Sequence, residues 1–155
     1  MTAELNKPVP NFTVQATSGT TLTLAELAGR KVVLYFYPKD NTPGCTTEGQ
    51  AFRDLYPEFE KAGAVVYGVS KDSLRTHENF RQKQSFPFDL ISDTDESLCR
   101  LFDVIRMKQM YGKQYEGIER STFIIDAQGV LRHEWRKVKV PGHVEQVLEA
   151  LRALP

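Results

Sequence analysis

The chain is poor in cysteine: 155 residues hold only Cys45 and Cys99. Two are too few for a disulfide framework, and both suit free thiols in a reducing cytosol. There is no excess charge of either sign, with 20 Lys+Arg against 20 Asp+Glu. Nothing in that balance points to nucleic acid or an anionic membrane as partner. No apolar run approaches the ~20 residues that span a bilayer. The opening Met1–Pro8 segment lacks a basic stretch followed by an apolar one, so no secretory signal is expected and the expected location is cytoplasmic. A glycine-rich phosphate loop is missing; Gly44 is a single glycine in a turn. His77, His133 and His143 lie neither at i, i+4 spacing nor beside a cysteine pair, which leaves metal binding little support. No cofactor is expected. With no repeat, low-complexity tract or long linker, residues 1–155 read as one domain.

What is present alternates strand and helix patterns. Phe12 to Ala16 and Thr20 to Thr23 read as the arms of an N-terminal hairpin around a Ser-Gly turn, and Leu24 to Leu27 as one helical turn. Val32 to Tyr37 is continuously apolar, the pattern of a central strand covered on both faces. From Cys45 to Ala62, Phe52, Leu55, Tyr56 and Phe59 fall at i, i+3, i+4, i+7, with Pro57 inside the pattern. Ala64 to Val69 is a second buried strand. Asp72 or Ser73 caps a helix to about Gln84, with Leu74 and Phe80 expected inward. Phe88 to Ile91 is a short strand. Asp93 or Thr94 caps a helix carrying Leu98, Leu101, Phe102 and Ile105. Residues 106–119 are polar and read as an ordered loop. Ser121 to Asp126 and Val130 to Trp135 form a hairpin about Gln128-Gly129, and a last helix carries Val144, Val147, Leu148 and Leu151 on one face. This order predicts an α/β protein with a thioredoxin-like fold, an N-terminal β-hairpin extension, and a mixed central sheet flanked by helices on both faces.

The chemistry gathers in Pro38-Lys-Asp-Asn-Thr42-Pro43-Gly44-Cys45. A strand ends, a Pro/Asn/Gly turn follows, and a lone cysteine opens a helix. A helix N-terminus offers unpaired N–H donors and a positive dipole end, which favour a thiolate. Cys45 as a small packed hydrophobe fits poorly with its polar neighbours Lys39, Asp40 and Asn41. A distant cation that would favour the thiolate further is Arg120, just before the strand Ser121 to Ile125; it also reads as an exposed loop-end arginine. Thr42 reaches the same pocket or simply forms the turn, and Pro38 is otherwise a strand terminator.

Pro38-x-x-x-Thr42-x-x-Cys45 resembles the Pro-x-x-x-Thr/Ser-x-x-Cys signature of peroxiredoxins. The longer run Tyr35 to Glu48, with a second block Gly117 to Asp126, is similar to the peroxiredoxin Q branch, also called bacterioferritin comigratory protein. The resemblance covers nearly the whole chain. It implies a thiol-dependent peroxidase in antioxidant defence and cell redox homeostasis. Cys45 would be the peroxidatic nucleophile, attacking hydrogen peroxide or an organic hydroperoxide to form a sulfenic acid. Arg120 would hold the thiolate and donate to the peroxide, Thr42 would orient it, Gly44 and Cys45 N–H groups would complete the donor set, and Pro38 would shield the sulfur. Glu48 fits the branch motif with no assigned role. The branch is commonly monomeric.

Many members of this branch carry a second cysteine five residues after the first, where this chain has Gln50. Two routes from the sulfenic acid follow: resolution by Cys99, or by an outside thiol such as glutathione, glutaredoxin or thioredoxin. Cys99 lies on the flank of its predicted helix and reads as a packed or half-exposed structural residue, so a one-cysteine cycle is expected. Two other functions compete. Thioredoxin-type exchange wants Cys-x-x-Cys, whereas the chain has Cys45-Thr-Thr-Glu48, and it has Arg120 where thioredoxins place a cis-proline. A peroxide sensor or redox-regulated chaperone acting through Cys45 oxidation is the remaining alternative. Met107, Met110 and Tyr111 read either as an apolar rim of the pocket or as filler under the loop.

Overall fold

The computed structural model describes residues 2–155; Met1, the first residue of the predicted domain, lies outside them. Its central strand is β3, Lys31–Phe36, and five of its six residues are buried. Continuous burial follows from having cover on both faces. Val33 and Tyr35 enter one core, while Val32, Leu34 and Phe36 enter the other. β3 pairs in parallel with β4 (Ala64–Ser70), and β4 in parallel with β5 (Leu90–Ser92). On its other side β3 pairs antiparallel with β8 (Ser121–Ile125), which turns back into β9 (Leu131–Trp135). The hairpin β1 (Thr13–Ala16) and β2 (Thr20–Thr23) adds antiparallel to β5, giving the order β2-β1-β5-β4-β3-β8-β9. A 3₁₀ turn, Leu24–Leu27, sits where one helical turn was expected.

Helix α1 (Pro43–Lys61) and helix α4 (His143–Arg152) pack on the Tyr35 face, joined there by Phe80 of α2 (Leu74–Gln84). Phe52 and Phe59 of α1 are fully buried, each such side chain stabilising by roughly 1.5–3 kcal/mol. Phe52 stacks on Tyr35 with centroids 4.4 Å apart. That contact needs Gly68 of β4, because a Cβ there would meet Tyr35 Oη at 2.8 Å. The opposite face carries the N-terminal segment and α3 (Ser97–Leu101), with Leu98, Cys99 and Phe102 in the core.

Four expectations need correction. Residues 106–119 are not a loop: β6 (Ile105–Met110) and β7 (Lys113–Ile118) form a separate hairpin. Tyr111 and Gly112, at φ 54° and 76°, make its two-residue turn. Both strands are largely exposed, so they show no apolar alternation. The helix predicted from Thr94 through Ile105 is only α3, and Ile105 starts β6. The Asp93 carboxylate instead accepts the Leu98 and Cys99 N–H groups, at 3.0 and 2.7 Å. Leu74 is 37% exposed, and the inward residues of α2 are His77 and Phe80. Ser73 caps α2 by accepting the Thr76 N–H. The strand expected at Phe88 to Ile91 is shifted to Leu90–Ser92.

Candidate active site

The register of β3 and β8 places the site. Phe36 pairs with Ser121, so the exit of β3 and the entry of β8 share one edge of the sheet. The chain leaving β3 passes Pro38 and the turn to Thr42, then starts α1 at Pro43. The residue entering β8 is Arg120. Residues 75 apart in sequence are thereby brought into contact.

Thr42 is the N-cap of α1 with extended backbone, and Pro43 occupies the first turn, where its missing N–H costs nothing. The Thr42 hydroxyl does not cap the helix; it donates to the Lys39 carbonyl at 2.7 Å. Cys45 is buried at 2% exposure, in the turn whose N–H groups lack intrahelical acceptors. Arg120 Nη2 donates to Cys45 Sγ at 3.3 Å, and its Nη1 donates to Glu48 Oε1 at 2.7 Å. The arginine is thus not a loose loop end: its side chain is 16% exposed and anchored on a buried carboxylate. Gly44 lets it lie there, since a Cβ at that position would stand 3.2 Å from Arg120 Nη2. Pro38 is half-buried at the end of β3.

Glu48 is fully buried, and burial, outweighing Arg120, pushes its carboxyl up to about 7. Its Oε2 and the Tyr35 hydroxyl are the buried side-chain polar atoms without a hydrogen-bond partner among the described residues. The sequence motif flagged Glu48 without a role; the structure makes it the anchor of Arg120. Two neighbours were given no role from the sequence. Lys108 of the hairpin donates to the Ile118 carbonyl at 2.6 Å, and burial and then Arg120 lower its pKa while the Cys45 charge opposes that. His143 bonds Thr122 at 2.8 Å, and burial followed by Arg120 lowers it to about 4, leaving it neutral near pH 7. Lys108 could not be found while its segment read as a loop.

One candidate, Cys99, is not brought into the site. Cys99 sits in the core on the other face of the sheet from Cys45. Burial and the adjacent Asp93 push its thiol far up. Met107, Met110 and Tyr111 are 62%, 54% and 96% exposed, so they do not fill space beneath the segment. Gln50 donates to Gln84 of α2 at 3.0 Å. Among the described residues no helix is long and apolar enough to cross a membrane.

Comparison with known proteins gives one answer. A family model described as the AhpC/TSA family matches residues 5–134. Peroxiredoxin Bcp of Xanthomonas campestris is 56% identical, over 97% of this chain and 96% of that one. Peroxiredoxin Bcp of Bacillus subtilis is 47% identical, over 98% and 97%. A solved structure of Xanthomonas campestris peroxiredoxin Q superposes with a TM-score of 0.91 at 55% identity, covering 97% of each chain. The chain therefore belongs to the AhpC/TSA family and, within it, to the peroxiredoxin Q or Bcp branch of thiol-dependent peroxidases.

Proposed function

We propose that this chain reduces hydrogen peroxide and organic hydroperoxides through Cys45 and is returned to the thiol by an external reductant. The observation that carries the reading is the two-pronged Arg120, one nitrogen on Cys45 Sγ at 3.3 Å and the other on buried Glu48. A guanidinium held that way sets a fixed positive charge against the sulfur and stays in place while charge moves. The Cys45 thiolate attacks the distal peroxide oxygen. An S–O bond forms as the O–O bond breaks. The departing oxygen takes the electron pair, gains a proton and leaves as water or alcohol, and Cys45 is left as a sulfenic acid. Arg120 and the N–H groups of Gly44 and Cys45 stabilise that departing charge. Thr42 spends its proton on Lys39, so its oxygen is available to accept the peroxide O–H and orient it. Pro38 covers the sulfur at the strand end.

An outside thiol then attacks the sulfenic sulfur, water leaves, and a second thiol reduces the mixed disulfide. The separation of Cys99 and Cys45 onto opposite faces of the sheet supports this one-cysteine cycle. Glutathione, glutaredoxin and thioredoxin are the reductants to test. Two free thiols are consistent with work in the cytoplasm, and the chain is taken to act as a monomer in antioxidant defence. An alkyl peroxide substrate is in keeping with a 54%-identical Xanthomonas campestris relative, whose structures concern alkyl peroxide reduction. Steady-state consumption of hydrogen peroxide and cumene hydroperoxide with each reductant tests the reading. Sustained turnover with at least one is expected; a single oxidation with no recycling by any would favour a sensor.

A further inference from the structure

Beneath the turn that leads to Cys45 lies a buried polar cluster that the reaction as written does not use. Lys39 and Asn41 of that turn are exposed, but Asp40 between them is 4% exposed. Its carboxylate accepts from the Tyr37 hydroxyl at 2.6 Å and lies 2.6 Å from His77 Nδ1. Its backbone N–H donates to Asp72 Oδ2 at 3.0 Å, which also accepts from Ser70 Oγ. His77, on α2, is fully buried, and its Nε2 lies 2.9 Å from the Ile91 carbonyl of β5. Asp40, Asp72 and His77 thus converge, with facing atoms within 4.8 Å of one another. These atoms are engaged by each other and by Tyr37, Ser70 and Ile91.

Proton placement follows from those partners. A carbonyl only accepts, so His77 Nε2 carries a proton toward Ile91. One more proton lies between Nδ1 and Asp40, whether drawn as imidazolium and carboxylate or as imidazole and carboxylic acid. The pair is therefore neutral overall while it holds both protons. Removing the shared proton leaves a nitrogen lone pair facing a carboxylate at 2.6 Å in a buried site. Among the described residues, the charged or titratable groups around it include Asp72, which adds negative charge, and the buried hydroxyls of Tyr37 and Tyr35, both held well above their ordinary value chiefly by burial. β5 contributes only a carbonyl. Nothing there would compensate for the lost proton.

We infer that His77 is a positioning residue for the peroxidatic cysteine: through Asp40 it locks the 38–42 turn, and without that lock the turn loosens and peroxide attack slows. The inference rests on the peroxidase reading above. Asp40 lies five positions before Cys45, and Thr42 and Gly44 lie between them, so a loosened turn misplaces both the sulfur and the donors around it.

The test is the second-order rate of Cys45 oxidation by hydrogen peroxide, followed by stopped flow in the full chain at neutral pH. His77→Asn keeps an amide N–H where Nδ1 stood. It is expected to retain the wild-type rate within about threefold. His77→Gln keeps only the donor toward Ile91, and Asp40→Asn removes the acceptor. Both are expected to react ~10–100-fold more slowly while still folded by circular dichroism, the scale of an ångström-sized misplacement. A purely structural role would lower the thermal stability of all three variants and leave the oxidation rate of the folded protein unchanged. The wild-type chain gives a test independent of any variant. The short Asp40–His77 bond should produce a far-downfield proton NMR signal. Absence of that signal in wild type, a His77→Asn rate as low as that of His77→Gln, or wild-type rates in His77→Gln and Asp40→Asn would overturn the inference. Failure of wild-type Cys45 to react with peroxide would instead overturn the peroxidase reading.

Discussion

The two cysteines are both buried, at 2% and 0% exposure, yet they stand in opposite electrostatic settings. Cys45 receives a guanidinium N–H on its sulfur and opens a helix of 19 residues. Cys99 lies in a five-residue helix, its N–H donates to the Asp93 carboxylate, and burial with that negative charge pushes its thiol up. Burial therefore does not separate the thiol proposed as reactive from the one proposed as inert. The sign of the nearest charge does, together with the sheet between the two, which keeps their chemistry apart.

The sharpest break in that contrast is Cys45→Ser, expected to abolish peroxide reduction, with Cys99 unable to substitute; any residual thiol-dependent turnover would show that the second cysteine is not inert. Next is Arg120→Ala, which removes the cation that distinguishes the two sites. The rate of Cys45 oxidation should fall ~10²–10³-fold with the fold intact by circular dichroism, the usual cost of one transition-state donor. An unchanged second-order rate would show that Arg120 has been misassigned.

Gly44→Ala is subtler. Its Cβ would press on Arg120 Nη2, so oxidation should slow several-fold, ~3–10-fold, while melting temperature stays nearly constant. Glu48→Gln probes the anchor by pH. The folded-state carboxyl is raised to about 7 from its ordinary 4.5, so the folded chain holds that proton more tightly than the unfolded one. Stability from this group is full below 4.5 and is lost as pH rises through 7. Melting curves should therefore show the variant gaining on wild type between those values and levelling above; a constant offset across that range would contradict the assignment. The smallest effect is Cys99→Ser, for which the first oxidation of Cys45 should proceed at the wild-type rate.

The sequence exposed much of this contrast. The apolar run Val32 to Tyr37 and the turn to Cys45 were readable because a doubly covered strand and a helix start both leave local signatures. Arg120 was readable only as a candidate, since its contact with Cys45 depends on the β3–β8 register, a non-local fact. The role of Glu48 emerged from the same register. The β6–β7 hairpin escaped because strands exposed on both faces need no alternating apolar residues, and with it escaped Lys108. His77 escaped because a polar residue on a helix face reads as solvent-facing, until the groups that satisfy it, Asp40 and the Ile91 carbonyl, are seen to come from two other segments. Cys99 was assigned a structural role from its helix flank, and the structure gives the physical reason in Asp93.

The most direct measurement is intact mass after one equivalent of hydrogen peroxide, on wild type and on Cys99→Ser, without added thiol. The account predicts a gain of one oxygen, located at Cys45 by peptide mapping, in both proteins. A loss of two hydrogens in wild type that disappears in Cys99→Ser would mean an internal disulfide, and would contradict a one-cysteine cycle resolved from outside.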